Sequence, residues 1–162
     1  MDINFNLMNN EYFSNKLDKY LNQVSQTKRK VVGIILFGSL ARGDAVLSEE
    51  RKSDIDLILI FKNREIPEDP RNRSKLKFEL MRSAPVGVDS IWVTEDEFRN
   101  LVQIKADIIL YALDEGKVLY DPVGLVKKQK DELFQDLKKK GVKKEKHYWA
   151  WPIKHFGEEI EW

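Results

Sequence analysis

The sequence contains no cysteine and no long uninterrupted apolar run, and its net charge is close to zero. The lack of cysteine excludes disulfides, thiolate catalysis and zinc–thiolate sites. A membrane-spanning helix needs about 18 consecutive apolar residues, and no stretch of the chain supplies them. Charged residues make up 34% of the 162 positions but nearly cancel, at +1, so a general electrostatic attraction to nucleic acid is not indicated.

The length of the chain favours one domain with a substantial core. We place a single domain at residues 1–146 and regard residues 147–162 as an aromatic tail. The amino terminus lacks the basic flank and apolar centre of a signal peptide, so we expect a cytoplasmic protein that does not enter the membrane. The sequence leaves open whether the chain forms a homo-oligomer.

Hydrophobic periodicity predicts an α/β (α+β) fold, with a small mixed β-sheet and flanking helices. The predicted helices cover residues 10–27, 72–83, 94–116 and 123–140, and a short helix or turn covers 38–42. The predicted strands cover residues 31–37, 54–61, 86–93 and 118–120. Thr94 and Glu97 fit a capping box at the start of the third long helix.

The most informative pattern is Gly38-Ser39 at the end of one apolar strand, followed by Asp54 and Asp56 at the start of the next. Side chains two apart on a strand share a face, so the two carboxylates lie ~6–7 Å apart along the backbone. At ~4 Å and an effective dielectric constant of ~20, two such charges repel by about 4 kcal/mol. A cation or a bound proton must offset that repulsion, and Mg²⁺ binds through one or two carboxylates plus substrate phosphates. Aspartates also begin strands as simple turn residues, but the joint pattern favours a site for phosphate and metal.

A third carboxylate, Asp89, interrupts the apolar run from Val88 to Val93. A buried carboxylate without a partner is costly, so we expect Asp89 to have one, and the metal site is a candidate. The alternative is an aspartate at the strand end that accepts hydrogen bonds from backbone amides. The sequence contains neither a P-loop nor a G-x-G-x-x-G motif, which excludes the Walker and Rossmann phosphate sites.

The stretches Gly38–Asp44 and Ser53–Leu57 resemble the signature of the polymerase-beta-type nucleotidyltransferase superfamily. Within it, the chain is most similar to the small stand-alone enzymes called minimal nucleotidyltransferases, and the order of elements matches over residues 10–140. One departure is a longer gap between Ser39 and Asp54, in which Glu49–Lys52 form a charged loop tip. Loops lengthen at modest entropic cost, so we expect this insertion to alter the rim of the site more than its chemistry.

The resemblance implies in-line displacement at the α-phosphorus of a nucleoside triphosphate, with pyrophosphate as the leaving group. Asp54, Asp56 and Asp89 would hold two Mg²⁺ ions ~3.5–4 Å apart. Asp89 would also help to activate the incoming hydroxyl as a general base.

The resemblance also assigns the phosphate-binding residues. Gly38 would let the backbone approach the triphosphate, and the Ser39 hydroxyl with nearby amides would bind the terminal phosphates. Arg42 lies one helical turn from Ser39 and either faces the phosphates or pairs with Asp44 or Glu49.

The function implied is transfer of AMP from ATP to a hydroxyl of a protein partner. Small enzymes of this kind often act as the antitoxin of a helical HEPN-type toxin, which they silence by modifying a tyrosine. The chain lacks the Arg-x4–6-His sequence of HEPN proteins, so such a partner would be a separate chain. Two alternatives stay open: a transferase for a small molecule such as an aminoglycoside, which usually has an additional helical domain, and a non-catalytic binding module with the same fold.

The carboxyl-terminal part of the sequence carries two further signals. Residues 127–146 contain nine lysines and four acidic residues, which indicates either the solvated face of a helix or an RNA-binding surface. The tail contains five aromatic residues, including three of the four tryptophans, and must dock on its own domain or on a partner. They are Tyr148, Trp149, Trp151, Phe156 and Trp162. We expect His147 and His155 to be ordinary tail residues.

Overall fold

The structure, a computed structural model, describes residues 10–146 and 148–152. The helices are α1 (Glu11–Gln26), α2 (Gly38–Arg42), α3 (Pro70–Leu80), α4 (Glu95–Gln103), α5 (Asp107–Glu115) and α6 (Leu125–Lys139). The strands are β1 (Val31–Phe37), β2 (Ile55–Phe61), β3 (Val88–Thr94), β4 (Lys117–Tyr120), β5 (Lys143–Lys144) and β6 (Trp149–Ala150). In these described ranges no helix is both long and apolar enough to cross a bilayer.

The main sheet is mixed, with the strand order β3-β2-β1-β4. β1 pairs antiparallel with both β2 and β4, whereas β2 and β3 are parallel. Parallel neighbours need a crossover connection, and α3 lies in the segment that provides it. As a result the amino ends of β2 and β3 meet the carboxyl end of β1 at one end of the sheet. The predicted fold class is confirmed.

Both faces of the sheet are covered by helices, which explains why β2 is apolar along almost its whole length. α1 covers one face with five buried side chains at helical spacing, as predicted: Phe13, Leu17, Tyr20, Leu21 and Val24. Asn10 caps this helix by accepting the backbone N–H of Tyr12 at 3.0 Å. α4, α5 and α6 contribute buried residues to the core on the other face.

The helix predicted over residues 72–83 starts and ends earlier than its pattern indicated. Asp69 caps α3 and Pro70 occupies its first position, a combination typical of helix starts. No residue of α3 is buried, and Phe78 is 71% exposed. α3 instead covers the outer edge of β3, where Arg73 and Lys77 donate hydrogen bonds to the carbonyls of Trp92 and Ser90. These contacts satisfy an edge that would otherwise be open to other strands.

Arg73 also joins α3 to the capping box of α4, which was predicted correctly. Its guanidinium donates two hydrogen bonds, of 2.7 and 2.8 Å, to the carboxylate of Glu97, and Glu97 and Thr94 cap each other. Partial burial acts to raise the pKa of Glu97, but hydrogen bonds from Arg73 and the Thr94 backbone outweigh it and lower that pKa.

We expect Arg73→Ala to lower the free energy of unfolding by about 2 kcal/mol, the size of a charge-assisted hydrogen-bond pair. A carboxyl with a lowered folded-state pKa stabilises the fold above its unfolded-state pKa, and this contribution is lost as the pH falls through the folded-state value. The difference between variant and wild type should therefore shrink in acid. Urea unfolding across pH measures it, with Arg71→Ala, an exposed arginine on the same helix, as control. Equal losses for both variants would contradict the account.

The single helix predicted from Thr94 to Gly116 is wrong, because the chain breaks between α4 and α5. Lys105 adopts a left-handed backbone conformation with φ of 53°, and the N–H of Ala106 closes the turn onto the carbonyl of Leu101 at 3.0 Å. The Lys105 side chain is only 5% exposed and pairs with Asp136 of α6 at 3.0 Å. The break between α4 and α5 contains no glycine or proline that would have predicted it from the sequence, and it coincides with this ion pair to α6.

The carboxyl-terminal region folds onto the same domain over its described part. α6 buries an apolar face, while Lys128 and Lys140 pair with acidic side chains on the same helix. β5 and β6 form a small antiparallel hairpin, and the half-buried rings of Trp149 and Trp151 pack against the core beneath α6. The other predicted tail residues, His147, His155, Phe156 and Trp162, lie outside the described residues.

Candidate active site

The three predicted carboxylates lie at the end of the sheet where the amino ends of β2 and β3 meet the carboxyl end of β1. Asp56 is in register with Phe37 of β1 on one side and with Asp89 of β3 on the other. Asp54 comes just before β2, beside Gly87, whose carbonyl accepts the N–H of Ile55 at 3.0 Å. The parallel pairing of β2 and β3 therefore brings Asp56 and Asp89 onto neighbouring strands.

Gly38 stands directly against the carboxylate of Asp56. Its backbone has φ of 71°, the left-handed region that favours glycine. A Cβ at this position would lie 2.1 Å from Oδ2 of Asp56, far inside van der Waals contact. The turn after β1 therefore needs a residue without a side chain, and that requirement brings the backbone of α2 against Asp56.

The surroundings of Asp56 disfavour its ionised form, because burial and neighbouring carboxylates act on it without a paired cation among the described residues. Burial raises the pKa of Asp56, and the nearby carboxylates of Asp89 and Asp54 raise it further, whereas Arg42 opposes them only weakly. No ion pair to Asp56 occurs within residues 10–146 and 148–152. Ionised Asp56 would be stabilised by any cation that binds between these carboxylates.

Asp89 differs from the prediction in its burial. Its side chain is 81% exposed, not buried in the apolar run, because it projects from the first residues of an edge strand. The expectation that burial forces Asp89 to find a partner was therefore wrong, although a cation does lie nearby: Nζ of Lys77 is 3.8 Å from Oδ1 of Asp89. The exposed carboxylate is open to an approaching molecule.

Lys16 is a cation near the site that no sequence pattern indicated. A Cβ placed on Gly87 would lie 3.0 Å from Oδ1 of Asp54 and 3.1 Å from Nζ of Lys16, so these two groups flank the same point. Nζ of Lys16 also lies 4.7 Å from the ring centre of Tyr12. Lys16 reaches the site from the polar side of α1, and only the packing of α1 on the sheet brings it there.

Ser39 and Arg42 belong to α2, the short helix that starts at Gly38. The carbonyl of Ser39 accepts the N–H of Asp44 at 2.9 Å, which closes the turn around Gly43. Nε of Arg42 lies 3.1 Å from Asp44, and Nη1 lies 3.6 Å from Glu115 at the end of α5. Of the two predicted positions for Arg42, the structure has the one paired with Asp44, and it adds Glu115, which the sequence did not indicate.

The donor set suits magnesium, but the protein alone does not assemble a complete site. Asp54, Asp56 and Asp89 offer carboxylate oxygens, the ligands that Mg²⁺ prefers. Nowhere in the described residues do three or more acidic or histidine side chains converge closely enough to hold a metal ion. Mg²⁺ is commonly bound by one or two carboxylates together with substrate phosphates, so these residues fit a metal that arrives with its nucleotide.

Residues 15–122 match the family described as polymerase beta, nucleotidyltransferase. This segment runs from within α1 to just past β4, includes Gly38, Asp56 and Asp89, and makes up most of the chain. The chain belongs to the polymerase beta nucleotidyltransferase family, which confirms the sequence prediction. No curated protein matches the sequence closely.

The chain is also similar to solved structures, at low sequence identity and with TM-scores below 0.5. One is a toxin–antitoxin complex with AMP-PNP, which is 20% identical in sequence. The match covers 75% of this chain and 86% of the other, with a TM-score of 0.48. Another contains a variant of the toxin–antitoxin pair MntA–HpeT and is 17% identical in sequence. The match covers 76% of this chain and 86% of the other, with a TM-score of 0.48. A third is a tri-AMPylated HEPN toxin from Shewanella oneidensis in complex with the MNT antitoxin, and it is 17% identical in sequence. The match covers 75% of this chain and 86% of the other, with a TM-score of 0.44. The family assignment rests on the family match alone.

Proposed function

We propose that the chain transfers AMP from ATP to a hydroxyl of a protein partner, and that it acts as the antitoxin of a separate HEPN-type protein. The observation that carries the proposal is the contact of Asp56 with Gly38 on one side and its register with Asp89 on the other. In a chain of this family, that arrangement puts the Gly38–Ser39 turn, where phosphates would bind, next to the carboxylates that would bind the metal.

Each residue then has a role that its position allows. Asp54, Asp56 and Asp89 would hold Mg²⁺, which when bound supplies positive charge against the charge that develops on the reacting phosphate. The glycine turn and the Ser39 hydroxyl would contact the terminal phosphates. The exposed carboxylate of Asp89 can accept the proton of the incoming hydroxyl.

The described elements after β4 belong to the same core as the main sheet. After β4, the described chain contains one long helix, α6, and a hairpin of two-residue strands. The apolar face of α6 is used by the core. The sequence resembles the minimal enzymes that act on proteins, and this resemblance favours a protein acceptor over a small molecule.

The test is transfer of label from ATP in a lysate of the cells to which the chain is native. Purified chain and Mg²⁺ would be supplied with ATP labelled at either the α- or the γ-phosphorus. We expect α-label, and no γ-label, on a species that protease destroys and nuclease leaves intact. The double variant Asp54→Asn/Asp56→Asn should transfer none, and Asp131→Asn, an exposed aspartate on α6, should match wild type.

Three results would contradict parts of the proposal. Label on RNA or on a small molecule would overturn the protein acceptor. Transfer of γ-label would show phosphorylation instead of nucleotidylation. No label from ATP would overturn the transfer of AMP and would favour the non-catalytic binding module.

A further inference from the structure

The carboxyl end of α5 carries two adjacent carboxylates, Asp114 and Glu115, where a helix dipole favours cations. The last turn of α5 contains no basic residue of its own. Two cations come from elsewhere in the chain, Arg42 from α2 and Lys144 from β5. Nζ of Lys144 pairs with Asp114 and lies 2.6 Å from Oε1 of Glu115.

Glu115 is shared between these two cations. Its Oε1 accepts a hydrogen bond from Lys144, while its Oε2 lies 3.6 Å from Nη1 of Arg42. The hydrogen bond and charge of Lys144, helped by Arg42, lower the pKa of Glu115 against the effect of partial burial. The same contacts raise the pKa of Lys144. Two cations, Arg42 and Lys144, therefore face the adjacent carboxylates of Asp114 and Glu115, and Arg42 also pairs with Asp44.

Arg42 is the member of this cluster that lies beside the Gly38–Ser39 turn. A triphosphate at that turn must attract Arg42 away from the carboxylates that hold it, Asp44 and Glu115. If Lys144 were absent, one positive charge would be lost, and Asp114 and Glu115 would add one more uncompensated negative charge to this neighbourhood. They would hold Arg42 more strongly and would repel the incoming phosphates.

We propose that Lys144 of the carboxyl-terminal hairpin is a positioning residue for nucleotide binding, which it supports by offsetting the negative charge of Asp114 and Glu115 and so leaving Arg42 available to the triphosphate. The inference rests on the proposed function, since it assumes that a nucleotide binds at Gly38–Ser39. Lys144 acts through Glu115 and Arg42 and need not touch the nucleotide. The hairpin thereby becomes part of the nucleotide site, although it lies outside the segment that matches the family.

The experiment measures the Kd of Mg²⁺–ATP at equilibrium, without any acceptor. Lys144→Met should raise the Kd about three- to tenfold, because the charges involved are partly exposed and partly screened. Lys144→Arg should stay within about twofold of wild type, since it keeps the charge. Lys143→Met removes the same charge from the neighbouring, exposed position of β5 and should change the Kd less than about twofold.

A second substitution separates positioning from simple support of the hairpin. Glu115→Gln removes one of the two carboxylates that hold Arg42. The double variant Lys144→Met/Glu115→Gln removes one charge of each sign, so it should bind Mg²⁺–ATP with a Kd within about twofold of wild type. If Lys144 only pinned the hairpin, the double variant would bind as weakly as Lys144→Met. The effect of Lys144→Met should also shrink at high salt.

The outcomes distinguish this inference from the proposed function. If wild type binds Mg²⁺–ATP and Lys144→Met binds it equally well, the role of Lys144 is wrong and the proposed function stands. If the double variant Lys144→Met/Glu115→Gln binds Mg²⁺–ATP as weakly as Lys144→Met, the role of Lys144 is also wrong and the proposed function stands. If wild type binds no nucleotide at all, the proposed function fails and the role of Lys144 fails with it.

Discussion

Asp56→Asn should lower the rate of nucleotidyl transfer about a thousandfold while raising the melting temperature by about 1–3 °C at neutral pH. The loss of rate follows from removing the carboxylate at the centre of the charged group. The gain in stability follows because burial, Asp89 and Asp54 all disfavour the ionised form of Asp56. The gain is small because the site is partly open to solvent, which screens the repulsion.

The stability change has a definite dependence on pH. The folded-state pKa of Asp56 is raised, so its protonated form stabilises the fold. That contribution is fully present below the unfolded-state pKa of aspartate and is lost as the pH rises through the folded-state value. Asp56→Asn should therefore exceed wild type in stability near neutral pH and lose this advantage in acid.

Magnesium adds a second readout for the same variant. A metal that binds the folded state raises the melting temperature by mass action, so Mg²⁺ with nucleotide should stabilise wild type and not Asp56→Asn. The matched control is Asp131→Asn, which should follow wild type in activity, pH dependence and response to Mg²⁺. Full activity in Asp56→Asn would show that the carboxylate group is not the reaction centre.

Gly38→Ala should lower nucleotidyl transfer about a hundredfold and the free energy of unfolding by about 1–2 kcal/mol. The backbone at Gly38 is left-handed, which disfavours any residue with a Cβ. The added Cβ would also lie 2.1 Å from Oδ2 of Asp56 and 3.0 Å from its Cγ. The carboxylate must move, and displacing a reacting group by about 1 Å can lower a rate a hundredfold.

Gly43→Ala separates these two effects. Gly43 ends α2 with φ of 86°, so alanine there meets the same backbone strain, but no atom lies within 4 Å of its Cβ. We expect Gly43→Ala to lose similar stability, about 1 kcal/mol, and to keep near wild-type transfer activity. Urea unfolding and initial rates measure both quantities. Equal losses of activity in the two variants would indicate strain in α2 and not a clash with Asp56.

Much of the fold follows from local signals in the sequence. The residues of α1 that repeat at spacings of three and four are all buried, and the apolar runs of β1 and β2 are strands between two layers of helices. The pair Thr94 and Glu97 is a capping box because both partners lie within one helical turn. These elements are determined by interactions between residues close together in the sequence, which are the interactions that periodicity and capping rules describe.

The errors and omissions arise from contacts between distant segments. The break between α4 and α5 involves an ion pair from Lys105 to Asp136 on another helix. Asp89 is exposed because β3 is an edge strand, which depends on the strand order. The positions of Lys16, Glu115 and Lys144 around the carboxylates and Arg42 depend on how α1, α5 and the hairpin pack. No pattern in the surrounding sequence reports such packing.

The most direct test of the account is a crystal structure of the chain with Mg²⁺ and a non-hydrolysable ATP analogue. We predict that the triphosphate lies over the Gly38–Ser39 turn, with metal density between the phosphates and the carboxylates of Asp54 and Asp56. Nucleotide bound elsewhere, for example in the groove between α4 and α6 beside Lys105, with no metal at these aspartates, would contradict the assignment of this end of the sheet as the active site.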